Sequence, residues 1–474
     1  VTSQHKQTVC KVHSQRFELF SLVRANPQRY PYLLESTAHE VGQHKNTARY
    51  DILFCFPQQI LRKNPDGTLE LDGLSYPGKR FLTALDELWR EHRQGIASLP
   101  DLPFSGGWFV YLGYELAAEI EPGLQLPGSD SRFPIAQASR IPAAVIYDHV
   151  RGQTSIVVES GYAELLNEIE HDLFSLSTID GSTETLATTS PQLHEDDPQE
   201  YLDNTQKILN YIREGDVFQV NLSRQWLGRY NRDNMQYPLY QRLRVCNPAP
   251  FAGFVALAEG AIVSSSPERL IRVNGQRIET RPIAGTRPRM PTQTQDKSIQ
   301  EELIAHPKER AEHVMLIDLE RNDLGRLCVP GTVRVDEMMA IESYAHVHHI
   351  VSNVCGQLRP DVSPGEVIAA VFPGGTITGC PKVRCMEIIA ELEHTARGAY
   401  TGSFGYLNHN GDMDLNILIR TLTLESGVLR FRTGAGLVAD SIAIREVEET
   451  RAKAKGLLTA IAGQTEAEVA SLSS

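Results

Sequence analysis

Residues 433–455 read TGAGLVADSIAIREVEETRAKAK. The stretch closes a strand-like run, Val428–Thr433, and opens a helix. Between them, Gly434-Ala435-Gly436 lets a backbone approach an anion, because glycine has no side chain to block it. Ala439-Asp440-Ser441 predicts the helix start, since a short oxygen-bearing side chain can cap free N–H groups. Ile444, Val447, Ala454, Leu458 and Ile461 then predict one buried stripe. Glu446, Glu449 and Lys453, at i, i+3 and i+7, point a second way together. Two carboxylates behind an anion cradle suggest a divalent cation joining an anionic ligand to protein. A solvated helix face would carry the same charges.

A second helix, Lys308–Leu324, repeats the pattern with Glu309 and Glu312 at i, i+3. Mg²⁺ is hard, takes oxygen ligands, and is commonly held by one or two carboxylates plus the anionic groups of a substrate. One glutamate from each helix fits that requirement, and so would pairing of Glu309 with a neighbouring Arg or Lys.

Composition bounds the partners. The chain has 474 residues, 22% charged and 41% hydrophobic, which suits an ordinary globular protein of one or two domains. A formal charge of -13 argues against nucleic-acid binding, and an anionic substrate must then meet a local basic cluster. The seven cysteines are scattered without a CxxC pair, which predicts reduced thiols and no zinc framework. No signal-like start and no run of about twenty apolar residues is present, so a cytoplasmic protein without membrane contact is expected.

Taken in order, Leu33–Ser36 and Arg49–Phe54 predict two strands, Leu82–Arg93 a helix, Gly106–Tyr114 a strand, and Ala143–Tyr147 with Thr154–Val158 a hairpin. Residues 175–200, rich in Ser, Thr and Asp, predict a linker. Residues 1–175 then form an N-terminal subdomain, 176–198 the linker and 199–465 a second domain. A helix through Leu202, Ile208, Leu209 and Ile212 should end at Gly215. Strands follow at Val217–Leu222, Phe251–Leu257, Ala261–Ser265, Leu270–Val273, Val347–Val354, Gly402–Leu407 and Ile417–Leu424. Arg281–Lys297 predicts a long loop. Strands and helices without βαβ regularity give an α+β class, sheets packed together and helices outside.

Phe372–Lys382 has the glycine interval of a phosphate loop, but Cys380 stands where the lysine belongs and no Ser/Thr follows Lys382. It predicts a small-residue turn that brings backbone and the Thr378 hydroxyl near a ligand, with Lys382 and Arg384 either joining a basic cluster or lying on the surface. His346 and His348 share one face of a strand and His349 the other; with Cys355 the one nearby thiol, zinc is unsupported.

Gln219–Ser223, Ser266–Arg269, Arg281–Thr286, Asp318–Leu324, Gly374–Glu387, Ile419–Thr421 and Gly434–Lys453 together resemble the chorismate-utilising enzymes. The resemblance runs unbroken from residue 200 to 463, and Leu33–Ser36, Arg49–Asp51 and Gly106–Tyr114 extend it into the first half. It implies an antiparallel β-sandwich of two packed sheets flanked by helices, with the active site in the second half. It also implies Glu312 and Glu449 as Mg²⁺ ligands, supported by Glu309 and Glu446. Tyr400, Arg420, Gly434, Ala435, Gly436 and Lys453 would bind the enolpyruvyl carboxylate, and Glu268 would protonate the departing hydroxyl. His349 resembles the histidine beside the reacting ring, and Thr378 a substrate-contacting hydroxyl.

Family members that use water as nucleophile resemble one another in carrying lysine at the position of Gln219, so ammonia is the expected nucleophile here. Gln219–Leu222 and Phe372–Gly379 are most similar to the aminodeoxychorismate synthases, component I, which serve 4-aminobenzoate and folate synthesis. Ala284 departs from the best-known of these, which place a nucleophilic lysine there, and agrees with anthranilate synthase component I. The chain shows no glutaminase cysteine elbow, so the resemblance implies a separate glutamine amidotransferase subunit supplying ammonia. Leu33–Ser36 resembles the family's tryptophan pocket, with Arg49, Tyr50, Pro250 and Phe251 as co-lining residues.

Overall fold

The structure, a computed structural model, describes residues 8–38, 49–93, 102–176, 192–231, 233–290, 292–343 and 347–463. Two twelve-stranded sheets, antiparallel throughout the described residues, make its frame. In the first, Thr8–His13, Gln153–Glu159, Ala143–Asp148, Tyr50–Cys55 and Tyr32–Glu35 lead into Phe251–Leu257, Gly260–Ser266, Thr421–Glu425, Val428–Leu437, Gln219–Arg229 and Gln192–Glu195. In the second, Ile283–Pro288, Val347–Gln357, Arg277–Thr280, Arg269–Asn274, Met413–Asn416 and Ser403–Asn408 continue into Gly107–Leu112, Ala136–Ile141 and Ile60–Lys63. Both sheets therefore draw hydrogen-bonded strands from either side of the 177–191 stretch, and the division at 176–198 is one of chain order rather than of sheets.

The sheets pack because each strand's inward residues are aromatic or branched. Tyr32 and Phe54 of the first sheet meet Phe109, Phe404 and Tyr406 of the second in one buried cluster. Tyr32 stacks on Phe109 at 4.1 Å, a contact worth about 1 kcal/mol beyond its buried area. Helices cover the outer faces. Leu19–Ala25, Leu165–Leu176, Gln236–Cys246 and Ala443–Ala462 lie on the first sheet, and Phe81–His92, Pro307–Gly325 and Pro364–Val371 on the second. Pro198–Glu214 and Lys382–Glu393 pack on the end of the first sheet that carries Val220 and Leu222. The fold is thus the α+β sandwich expected. No helix of the described residues is long and apolar enough to cross a membrane.

Gly215 ends its helix in the left-handed conformation, φ +84°, as its position in the sequence suggested. Several local expectations change. Residues 281–297 are not a loop: Ile283–Pro288 pairs with Val347–Gln357, and Gln293–Ala305 is a helix whose first turn is capped by Thr292 accepting from the Gln295 N–H. The prolines at 288 and 291 give the stretch a loop-like composition in the sequence. The expected linker is structured at both ends, with a helix running to Leu176, the strand Gln192–Glu195, and a helix opening at Pro198 under an Asp197 cap.

The helix after Gly434–Gly436 starts at Ala443 behind Ile442, with no side-chain cap; Ser441 Oγ instead accepts from the Val438 N–H. Ile444 is 54% exposed, outside the stripe assigned to it, and Leu457 and Ala460 complete the buried face with Val447, Ala454 and Ile461. Period alone cannot say which of two adjacent faces a long helix buries. Ile417–Arg420 is irregular, with Arg420 at φ +52°, and the strand begins at Thr421.

Candidate active site

Gly434–Gly436 lie inside the strand Val428–Leu437, not in a loop, with Gly434 opposite Ser223 and Gly436 opposite Asn221. Without side chains, they let Gln219, Asn221 and Tyr400 pack directly over the strand. A Cβ on Gly434 would stand 2.8 Å from both the Tyr400 hydroxyl and Asn221 Oδ1, and one on Gly436 would overlap Gln219 Nε2 and stand 3.6 Å from Glu312 Oε1. Ala435, between them, is fully buried on the other face. Lys453 reaches back from the C-terminal helix, donating to Gly434 O at 3.0 Å and pairing with Glu449 at 2.8 Å. Strand and helix thus deliver glycines, an ammonium and carboxylates to one place.

The carboxylates gather from both helices. Glu312 is mostly buried, and burial followed by the charges of Glu309 and Glu449 pushes its carboxyl up to about 7. Burial, then the charge of Glu449, raises Glu446 as well. Glu309 pairs with Arg287 at 3.2 Å, so of the four it is the one partly neutralised by an arginine. Among the described residues no three His, Cys, Asp or Glu side chains converge tightly enough to hold a metal by themselves. The donor chemistry nevertheless fits a hard dication: carboxylate oxygens only, repelling one another in a partly buried place, with room for water or an anionic ligand to complete the coordination.

The acid position is built differently. Glu268, buried in the turn between Gly260–Ser266 and Arg269–Asn274, accepts from the Thr376 hydroxyl at 2.8 Å. Burial is the main cause that lifts its carboxyl to about 7, against the Thr376 hydrogen bond and the charges of Lys453 and Arg420. Arg420 therefore lies within electrostatic reach of Glu268, and its charge also acts on His349. Burial pushes His349 down to about 3, and its Nδ1–H donates to Gly285 O at 3.2 Å; the ring is neutral, with Nε2 unprotonated. Tyr400 lies against the Arg397 guanidinium, 5.5 Å from its ring, and burial raises its phenol to about 12.

The glycine turn adds a residue that the sequence reading missed. Thr378 is fully buried and its hydroxyl donates inward to Gly374 O at 2.8 Å, while Thr376, two residues earlier, reaches Glu268. Both threonines follow the double glycine, and only the one-turn 3₁₀ helix Gly375–Ile377 decides which one faces the site. Lys382 pairs with Asp323 at 2.6 Å, and Arg384 with Asp216 at 2.9 Å, so neither joins the basic cluster. Ala284 is buried at a bulge against Val347–Gln357. His348 is held by Asp296 at 2.8 Å and Ser343 at 2.7 Å, and His346 lies outside the described residues.

The model of the family described as chorismate binding enzyme matches residues 48–459. The chain belongs to the chorismate-binding enzymes. Anthranilate synthase component 1 of Thermus thermophilus is 42% identical over 438 residues, covering 91% of this chain and 92% of that one. Aminodeoxychorismate synthase component 1 of Bacillus subtilis is also 42% identical, over 369 residues, covering 76% and 77%. The solved structure of anthranilate synthase component I from Streptococcus pneumoniae superposes with a TM-score of 0.76 at 30% identity, covering 88% of this chain and 94% of that one. Overall likeness thus assigns the chorismate-binding family and leaves anthranilate synthase component 1 and aminodeoxychorismate synthase component 1 level among its relatives.

The five residues of the expected effector pocket, Ser36, Arg49, Tyr50, Pro250 and Phe251, all line one cavity of about 1070 Å³. Ser36 Oγ donates to Tyr50 O and Pro250 O at 3.3 and 3.2 Å, tying the two chain segments together. The Arg49 guanidinium lies 4.7 Å from the Tyr50 ring and pairs with Asp148.

Proposed function

We propose that this chorismate-binding enzyme adds ammonia to Mg²⁺-bound chorismate, forming 4-amino-4-deoxychorismate as component I of an aminodeoxychorismate synthase. The observation that carries the reading is Glu268, a buried carboxyl that accepts from the Thr376 hydroxyl and lies within the electrostatic reach of Lys453 and Arg420. The departing ring hydroxyl is a poor leaving group until it receives a proton, and a carboxyl at about 7 is half protonated at physiological pH. Arg420 and Lys453 supply positive charge for a substrate carboxylate. Glu312 and Glu449, with Glu309 and Glu446 beside them, would hold the cation, which supplies a Lewis-acid anchor for the other carboxylate. Neutral His349 would stand beside the ring without adding charge.

Ammonia would come from a glutamine amidotransferase subunit, as the "component 1" names of both groups of relatives suggest. Gln219, which has no titratable group, supports ammonia over water as the nucleophile. With Ala284 at the bulge, ammonia attacks the ring directly, with no lysine adduct. Two observations favour a second reading, anthranilate synthase component I: the alanine itself, and the assembled cavity around Ser36, which would take tryptophan.

Incubation with chorismate, Mg²⁺ and an ammonium salt separates the two. 4-Aminobenzoate appearing only after aminodeoxychorismate lyase is added supports the first reading. Anthranilate fluorescence without any lyase assigns the second.

A further inference from the structure

Behind the substrate-facing residues lies a buried arginine that the steps above leave idle. Arg397 stands between the helix Lys382–Glu393 and Tyr400, and its side chain is 1% exposed. Its guanidinium grips Glu393 with two bonds, Nε–H to Oε2 at 2.9 Å and Nη2–H to Oε1 at 2.6 Å. Its remaining donors go to Asn221 O at 2.8 Å, Ile377 O at 3.1 Å and Thr401 Oγ1 at 3.4 Å. Every donor is used, which fixes the plane of the fork as a lysine ammonium could not. Glu393 is itself fixed by Arg432 at 3.2 Å and by the Ser223 N–H and hydroxyl, both at 2.8 Å. Against burial, the charges of Arg397 and Arg432 hold its carboxyl below the ordinary value, so the pair stays ionised.

The three segments joined at this charge all carry residues of the site. Asn221 O belongs to the strand Gln219–Arg229. Ile377 O closes the 3₁₀ helix that holds the Thr376 hydroxyl on Glu268. Thr401 follows Tyr400, whose ring lies 5.5 Å from the guanidinium. Slackening the first carbonyl frees the strand, slackening the second lets Thr376 swing away from the acid, and slackening Thr401 releases the Tyr400 hydroxyl.

We propose that Arg397 is a positioning residue for the reaction: clamped by Glu393, it aims the Thr376 hydroxyl at Glu268 and the Tyr400 hydroxyl at the substrate. This rests on the reading of Glu268 as the acid of a chorismate-aminating enzyme.

The bond from Thr376 favours the charged form of Glu268. The other charged groups acting with Glu268 are Lys453, Arg420 and Glu320, on segments to which the Arg397 guanidinium donates nothing. The test follows chorismate consumption by the full chain with Mg²⁺ and saturating free ammonia between pH 6 and 9, in the wild type, Arg397→Lys, Thr376→Val and the double variant. Lysine keeps the charge for Glu393 but cannot reach the three other acceptors with a planar fork. Loss of the aim predicts a KM for chorismate raised about tenfold. It also predicts an alkaline limb moved up by about one pH unit from its place near 7. Thr376→Val should move the limb equally, and the double variant no further than either, because both act through one bond. An arginine that only held the fold together would lower turnover alike at every pH and leave the limb in place. If thermal melting shows Arg397→Lys unfolded at the assay temperature, Glu393→Asp, which shortens the clamp and keeps the guanidinium, is read by the same limb. An unmoved limb, or shifts that add in the double variant, overturns the clamp while the wild type still turns over. Wild-type protein that consumes no chorismate with ammonia overturns the functional reading itself.

Discussion

Replacing Glu268 by glutamine should make the protein more stable and inactive at once. The ordinary value for this carboxyl is 4.5, and burial raises it to about 7. Each unit corresponds to about 1.4 kcal/mol, so the shift represents about 3 kcal/mol. The sign follows from proton binding. Between those two values the folded state holds the proton that the unfolded state has released, so stability falls as pH rises through this window. Above about pH 7 the full penalty applies. Glutamine keeps the shape without the charge, so E268Q should gain up to about 3 kcal/mol at pH 8 and nothing at pH 4. The same shift keeps roughly a hundredfold more acid form at neutrality than an unperturbed glutamate would.

Turnover at saturating free ammonia should therefore fall about tenfold per pH unit above 7, and E268Q should lose at least about a hundredfold at every pH. Chemical denaturation at pH 4 and pH 8 measures the first effect, and chorismate consumption between pH 6 and 9 the second. An E268Q protein that keeps a tenth of wild-type turnover would refute the assignment of this residue as the acid. Equal stability of the two proteins at pH 8 would show that burial does not hold the proton.

The carboxylate cluster and the cavity make the other two predictions. Glu312→Gln should raise the Mg²⁺ concentration for half-maximal activity at least about tenfold and remove the rise in melting temperature that Mg²⁺ gives the wild type; an unchanged Mg²⁺ dependence would place the cation elsewhere. Tryptophan at about a hundred times its dissociation constant should stabilise the wild type by about 3 kcal/mol, read as a thermal shift, and Ser36→Tyr, which pushes a ring into the cavity beside Tyr50 and Pro250 and breaks the Ser36 bonds to Tyr50 O and Pro250 O, should abolish it. Equal midpoints with and without tryptophan in the wild type would show that the cavity does not take this ligand.

The amino-acid sequence alone determined the chemistry available: which carboxylates, cations and glycines exist, and the periods that place Glu309 with Glu312 and Glu446 with Glu449 on their helices. It determined most strands of the sandwich too, because alternation is a local property and a sheet face buries every second residue. Tertiary structure decided everything that depends on distance between remote segments. It put Gly434–Gly436 in a strand because Gln219–Arg229 supplied the partner, turned 281–297 from an apparent loop into a paired strand and a helix, and exposed Ile444 by choosing which helix face to bury. It chose Thr376 over Thr378 for Glu268. Even the proton on Glu268 is a tertiary property. A carboxyl's preference for water is written in its chemistry, but only packing can take the water away.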